Sequence, residues 1–307
     1  MDISQYLRNL QPPTGPVDVV LDSDTFNEAD DQFAMAYLLL SAPALTVRGL
    51  CAAPFLNALV TSPAEGMEKS YDEMHHLLRL MGRTDLERLV RRGSDRYLPD
   101  EQTPVVSEAA EFLVQLSRNY TPEKPLYIVA IGAITNVASA LLLEPEMKER
   151  TVVVWLGGNA HHRNPSPEFN LMQDVTAARV VFGSGVPLVQ LPCRGVIDRF
   201  HTTGPELEYW LRGKNALCDY LVDHTFDYAR RRLDPSGPWS KPLWDVTAVG
   251  WLLNRDQQFL EYDIRPRPIP QPGHAYSFDT AQAPMAYAYA VNRDALYADL
   301  FRKLTQA

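Results

Sequence analysis

From Val17 to Leu191, short β-branched runs alternate with longer amphipathic stretches, and that alternation constrains the fold most. Val17–Leu21 reads as a mostly buried strand in which Asp18 is the polar exception, followed by a helix over Asp30–Leu40 with its apolar residues on one face. Thr46–Ala52 reads as a strand, Glu65–Met81 as a helix stopped at Gly82, and Ser107–Arg118 as a helix capped by Ser107. Strand Leu126–Ile131 leads into helix Ile134–Leu143; strand Thr151–Leu156, helix Val175–Phe182 and strand Pro187–Leu191 complete the series. A βαβα order of this kind predicts an open, mostly parallel sheet flanked by helices on both faces, an α/β Rossmann-like class. Beyond Pro205 the pattern predicts a helical C-terminal part, with helices Lys214–Arg232, Asp245–Leu253 and Arg293–Leu304. The proline-rich stretch Arg265–Gly273 reads as a rigid loop or an edge rather than a core element. With no internal repeat or Gly/Ser linker, one domain over 1–307 is expected.

Composition enters as a set of exclusions. Lys and Arg number 29 against 38 Asp and Glu, a formal charge of −9 that repels polyanions, so neither nucleic acid nor an anionic membrane is an expected partner. No apolar run is long enough for a transmembrane helix, and the N-terminus lacks the basic-then-apolar order of a secretory signal. Cys51, Cys193 and Cys218 are not at zinc or redox spacing, so a cytoplasmic protein is expected.

In an open parallel sheet, ligands collect at the carboxyl ends of the strands. Asp22, Asp24, Asn27, Asp30 and Asp31 follow the first strand, and Asn57 follows the second. Ile131-Gly132 follows the third, and Gly157-Gly158-Asn159, then Glu168-Phe169-Asn170, follow the fourth. Packed so closely, Asp22, Asp24, Glu28, Asp30 and Asp31 repel one another unless a cation neutralises them, and a hard divalent ion on oxygen ligands does so. The plainer alternative is that Asp30 and Asp31 favour a helix N-terminus and the rest is a solvated loop.

These residues resemble the inosine–uridine type nucleoside hydrolases. Val19-Val-Leu-Asp22-Ser-Asp24 followed by Asp30-Asp31 is similar to that family's signature, and Ile131-Gly-Ala-Ile-Thr-Asn-Val-Ala138 to its Gly-x-x-Thr-Asn-x-Ala turn. Trp155-Leu-Gly-Gly158 resembles its Met-Gly-Gly, Glu168-Phe-Asn170 with Asp174 its Glu-Phe-Asn segment, and Trp244-Asp245 the start of its late helix. The resemblance implies the nucleoside hydrolase fold and Ca²⁺-dependent hydrolysis of ribonucleosides to ribose and free base. The metal ligands it implies are Asp24, Asp31, the Ile131 carbonyl and Asp245, with Asp24 also taking a proton from the attacking water. Asp30, Asn57, Glu168, Asn170 and Asp245 are implied to hold the ribose. Acids and amides there suit the oxocarbenium character that develops as an N-glycosidic bond breaks. Family members are commonly dimers or tetramers, so a homodimer or homotetramer acting on a small nucleoside is expected.

Two departures bear on substrate. Thr25-Phe-Asn-Glu-Ala29 stands where the family has Pro-Gly-x, a loop two residues longer that can bring Asn27 or Glu28 to the pocket. Asn57, in Ala53-Pro-Phe-Leu-Asn57, is a looser match to the family's Ala-Gly-Asn. Trp244 stands where many members carry a histidine that protonates the leaving base. An indole does not titrate but can stack on a purine, as a Trp does in purine-preferring members, or simply pack as a core aromatic. His161 or His162, shortly before Glu168, is then a candidate leaving-group acid, with His162 the choice; a solvent-exposed loop pair is the alternative. His75, His76, His201, His224 and His274 show no partner pattern, and Arg230–Arg232 reads as a solvated helix end. Two other functions fit parts of the pattern. A non-catalytic nucleoside or ribose sensor would keep the pocket without turnover. A haloacid-dehalogenase-type phosphatase would use Asp22 as nucleophile and Asp24 as acid/base, although Thr25 falls one position early.

Overall fold

The computed structural model describes residues 1–307 apart from 164, 166 and 235. Its strands are β1 (Val17–Ser23), β2 (Leu45–Ala52), β3 (Val90–Arg92), β4 (Leu126–Ala130), β5 (Thr151–Leu156), β6 (Leu188–Leu191), β7 (His201–Thr202), β8 (Lys241–Pro242), β9 (Leu260–Pro266), β10 (Pro268–Pro270), β11 (Tyr276–Phe278) and β12 (Pro284–Val291). Eight of them form one sheet in the order β3-β2-β1-β4-β5-β6-β12-β9. Each neighbouring pair is parallel except β12 with β9. Successive side chains of a strand point to opposite faces. Val19, Leu21, Tyr127, Val129, Val152 and Val154 accordingly enter one core, and Val20, Ile128, Val153 and Trp155 the other.

The chain leaves β1 toward β2 and β3 on one side and returns to pair β4 on the other, so strand order reverses at β1 and β4. A crevice opens at the carboxyl ends of strands at such a reversal. Register places Asp22 beside Cys51 on one neighbour and Ala130 on the other, which fixes the residues after Asp22 at that edge.

Most expected elements are present. The helix Glu108–Ser117 starts after Ser107, whose side chain accepts from the Ala110 N–H, and Gly82 ends helix Pro63–Leu80 at a φ of +64°. Three expectations need correction. Helix Asp31–Leu39 is buried at every position rather than on one face, because it lies between the sheet and the helices Val246–Leu252 and Arg293–Thr305. The region after Pro205 is not only helical: β12 is an interior strand and β9 the sheet's edge. Met-Ala-Tyr-Ala-Tyr-Ala in β12 carries no periodicity that separates strand from helix. Within Arg265–Gly273 the chain finishes that edge, as expected, and supplies β10 of the β10–β11 ribbon, but Arg267 is fully buried, donating to the carbonyls of Phe182 (3.2 Å) and Val186. No helix among the described residues is long and apolar enough to cross a membrane.

Candidate active site

A cavity of about 130 Å³ opens at the β1/β4 edge. Six acids line it, Asp24, Glu28, Asp30, Asp31, Glu168 and Asp245, against a single cation, Arg194.

Asp24 is buried at the end of β1. A Cβ on Gly132 would lie 2.8 Å from Asp24 Oδ1, so the turn after β4 comes this near only because residue 132 is glycine. Asp24 Oδ2 is buried with no hydrogen-bond partner. Burial first and the charge of Asp31 second hold the Asp24 carboxyl well above the usual carboxylate range. Asp31 opens helix Asp31–Leu39 and accepts from the Ser23 hydroxyl at 2.7 Å; burial, then Asp30, push it up to about 7. Asp245 precedes helix Val246–Leu252 and is raised well above its ordinary value by burial and by Asp30. Oxygens of Asp30, Asp31 and Asp245 lie within 4.8 Å of one another.

That cluster has one counter-charge, which the sequence reading missed. Lys241, 1% exposed, places its ammonium 2.7 Å from both Asp30 Oδ1 and Glu28 Oε2. Nothing in the local sequence marks Lys241; the antiparallel pairing of β7 and β8, Thr202 opposite Lys241, carries it there. Burial raises the Asp30 pKa although Lys241 pulls against it.

Hard oxygen donors, an unpartnered buried Asp24 oxygen and carboxyls pushed toward protonation by burial and then by one another fit a divalent cation such as Ca²⁺. The tight trio contains Asp30 instead of the expected Asp24. Asp30 already pairs with the Lys241 ammonium, whereas Asp24 Oδ2 has no partner, so Asp24, Asp31 and Asp245 could hold a metal beside that pair. Ile131 also lines the cavity, and its carbonyl accepts from Asn170 Nδ2 at 3.1 Å.

The expected sugar-binding residues are distributed unevenly. Asn170 spends both amide hydrogens on the carbonyls of Ile131 and Leu156, leaving its carbonyl oxygen for a ligand. Glu168 lines the cavity while accepting from the N–H groups of Gly158, Asn170 and Leu171. Asn57 is not in the lining; it donates to Asn27 Oδ1 at 2.7 Å, and Asn27 is in the lining. Both Asn27 and Glu28 of the lengthened loop reach the cavity.

Trp244 lines the cavity with the Lys241 ammonium 4.3 Å from its ring centroid and its Nε1 buried without a partner. His162, the expected acid, is exposed and absent from the lining, so the structure does not bring it to the chemistry. His161 turns into a nest of Tyr276, Phe278 and Tyr287 and pairs with Gln190 at 2.9 Å; burial lowers it to about 4. It is neutral at pH 7 and carries no proton to give as an imidazolium. Asp22 lies outside the cavity, bonded to Asn136 at 2.7 Å, so it cannot serve as the nucleophile of a phosphatase. Asp174 caps helix Val175–Gly183 and accepts from Thr135 and Leu98, also outside the lining.

This arrangement defines a carboxylate-lined pocket on a mostly parallel α/β sheet. The profile of the family "inosine-uridine preferring nucleoside hydrolase" matches residues 19–297, and the chain belongs to that family. It is 28% identical over 263 residues to a pyrimidine-specific ribonucleoside hydrolase, RihA, of Enterobacter, covering 76% of this chain and 78% of that one. For several other curated relatives the match spans about half of their length, as with a Schizosaccharomyces pombe protein 30% identical over 166 residues, of which it covers 48%. The fold matches a plant nucleoside hydrolase (TM-score 0.76, 22% identity, 95% of this chain and 100% of that one). It also matches a purine-preferring ribonucleoside hydrolase of Gardnerella vaginalis (TM-score 0.73, 20% identity, 94% and 98%).

Proposed function

We propose that this chain hydrolyses the N-glycosidic bond of ribonucleosides, releasing ribose and free base, with Ca²⁺ as cofactor. One observation carries the proposal: Asp24, Asp30, Asp31 and Asp245, all buried, converge on a single cavity at the strand ends. A bound Ca²⁺ would supply a Lewis-acidic charge that orients and acidifies a water at the base of the pocket.

The chain's own groups then divide the work. Asp24, its Oδ2 uncommitted, takes the proton from the attacking water. Asp30, Glu168, Asn170 and Asp245 hold the sugar, with Asn57 acting through Asn27. The surrounding carboxylates stabilise positive charge as it grows on the ribose ring. Trp244 offers an aromatic surface to the departing base and favours a purine. RihA is named as pyrimidine-specific and the Gardnerella enzyme as purine-preferring, so base choice is the part of the proposal most exposed to test. A homodimer or homotetramer in the cytoplasm completes the reading, with the mass in solution as its check.

The deciding experiment is ribose release from a panel of purine and pyrimidine nucleosides, with Ca²⁺ and with chelator. Chelator-sensitive release, fastest on purines, is expected. A second reading is favoured by the absence of any histidine from the described cavity lining: a sensor that binds ribosides without cleaving them. Saturable binding of nucleoside with no ribose released would select it.

A further inference from the structure

We propose that Lys241 is a positioning residue for sugar recognition: its ammonium joins Glu28 of the lengthened loop to Asp30, presetting one wall of the cavity. The proposal rests on the hydrolase reading for what the wall recognises, but its geometry is independent of it.

The Lys241 ammonium is held between two carboxylates and two rings. Glu28 and Asp30 each lie at 2.7 Å, while the ring centroids of Trp244 and Tyr228 lie at 4.3 and 5.0 Å. Glu28, Asp30 and Trp244 line the cavity. A buried ammonium must find acceptors for its N–H donors, and nothing in the fold requires them to border a cavity; here both carboxylate partners are on the cavity wall. Glu28 belongs to the stretch Thr25–Ala29 that departs from the family pattern, so the loop's extra length supplies the carboxylate that answers the lysine. The loop is fixed from two more directions: Gln32 Nε2 donates to the Thr25 carbonyl at 2.6 Å, and His224 Nε2 lies 3.1 Å from the Glu28 carbonyl.

Asp30 is held at both oxygens. Oδ1 accepts from the ammonium, and Oδ2 faces the Asp245 N–H at 3.4 Å. A carboxylate pinned in this way presents its remaining lone pairs in one orientation, which suits an acceptor for a sugar hydroxyl.

The test uses the full chain with Ca²⁺ and the variants Lys241→Met, Glu28→Gln and both together. KM and kcat are measured for inosine and uridine and for their 2′- and 3′-deoxy counterparts. Lys241→Met is expected to raise the riboside KM about tenfold, more than it lowers kcat, and to erase much of the preference over a deoxyriboside. Glu28→Gln should give a smaller change in the same direction, and the double variant no more than Lys241→Met alone. An unchanged riboside-to-deoxyriboside ratio, or effects of the two substitutions that simply add, would overturn the proposal. Should Lys241→Met not fold, Glu28→Gln decides by the same ratio. If the wild type cleaves no nucleoside, the hydrolase reading fails separately, and the rise in Tm with D-ribose replaces kinetics. A rise in wild type that is lost in Lys241→Met supports the positioning role; no rise in wild type, or an equal one in both, sinks it.

Discussion

Asn136 donates its side-chain amide to Asp22 Oδ1 at 2.7 Å and to the Ala52 carbonyl at 3.2 Å, while its own oxygen accepts from the Ser94 N–H and hydroxyl. One buried amide thereby ties β1, β2 and the segment after β3 to the start of helix Thr135–Leu143, which follows β4. Asn136 clamps the strand ends and Thr135 bonds Asp174; neither residue lines the cavity.

Replacing Asn136 by Ala leaves a buried carboxyl, a hydroxyl and two backbone groups without their partner. Stability should fall by roughly 2–4 kcal/mol. Denaturant unfolding measures the loss. A change under about 0.5 kcal/mol would mean that neighbouring groups or water take over these bonds.

The metal-free protein should lose stability as pH rises. Asp22 and Asp31 are pushed up to about 7, burial being the main cause in each. A carboxyl raised in the folded state contributes fully below its unfolded value near pH 4, and the contribution disappears as pH climbs through about 7. Asp24 and Asp245, also raised by burial, act in the same direction. In chelator, Tm should therefore drop between about pH 5 and pH 8, whereas the Ca²⁺-induced gain should grow over the same interval as the ligands ionise. A Tm in chelator that climbs with pH contradicts this assignment.

Asp31→Asn removes one charge from a mutually repelling group. The expected outcome is a variant whose metal-free Tm is not lowered, whose Ca²⁺-dependent gain is lost, and whose turnover drops by at least about a hundredfold. Calorimetric titration with Ca²⁺ and ribose release read the two losses. Retained Ca²⁺ affinity would place the metal elsewhere.

Trp244→Ala should slow purine nucleosides by about tenfold or more and pyrimidine nucleosides less, measured as kcat/KM. Equal losses would make the indole a packing residue and a support for Lys241. His162→Ala, outside the cavity lining, should leave the rate within about twofold. His161→Ala should lower Tm, because it empties the nest of Tyr276, Phe278 and Tyr287, without moving the acid limb of the pH–rate profile.

The strand–helix alternation foretold β1, β2, β4, β5 and β6 and the helices between them, because a strand buried on both faces shows as an unbroken apolar run. It missed β3, only three residues long, and read past β12, whose alanines and tyrosines suit either element. The expected shape of helix Asp31–Leu39 failed for a related reason: a local pattern does not report how many neighbours press on an element.

Cavity-lining residues were legible in the sequence where they lie at a strand end or in the segment that follows it, as Asp24, Asp31, Ile131, Glu168 and Asn170 do, since parallel strands deliver their ends to one edge. The family resemblance added Asp245. What the tertiary structure alone decided are the relationships between distant segments. Lys241 reaches Asp30 across 211 positions through the β7–β8 pairing. His161 leaves the chemistry for an aromatic nest, and Asp22 is clamped by Asn136 although it stands two residues from Asp24. Residue type and spacing state which groups a strand carries to the edge. Which carboxylate faces a cation, and which faces an amide, depends on charges and donors brought in from elsewhere in the chain.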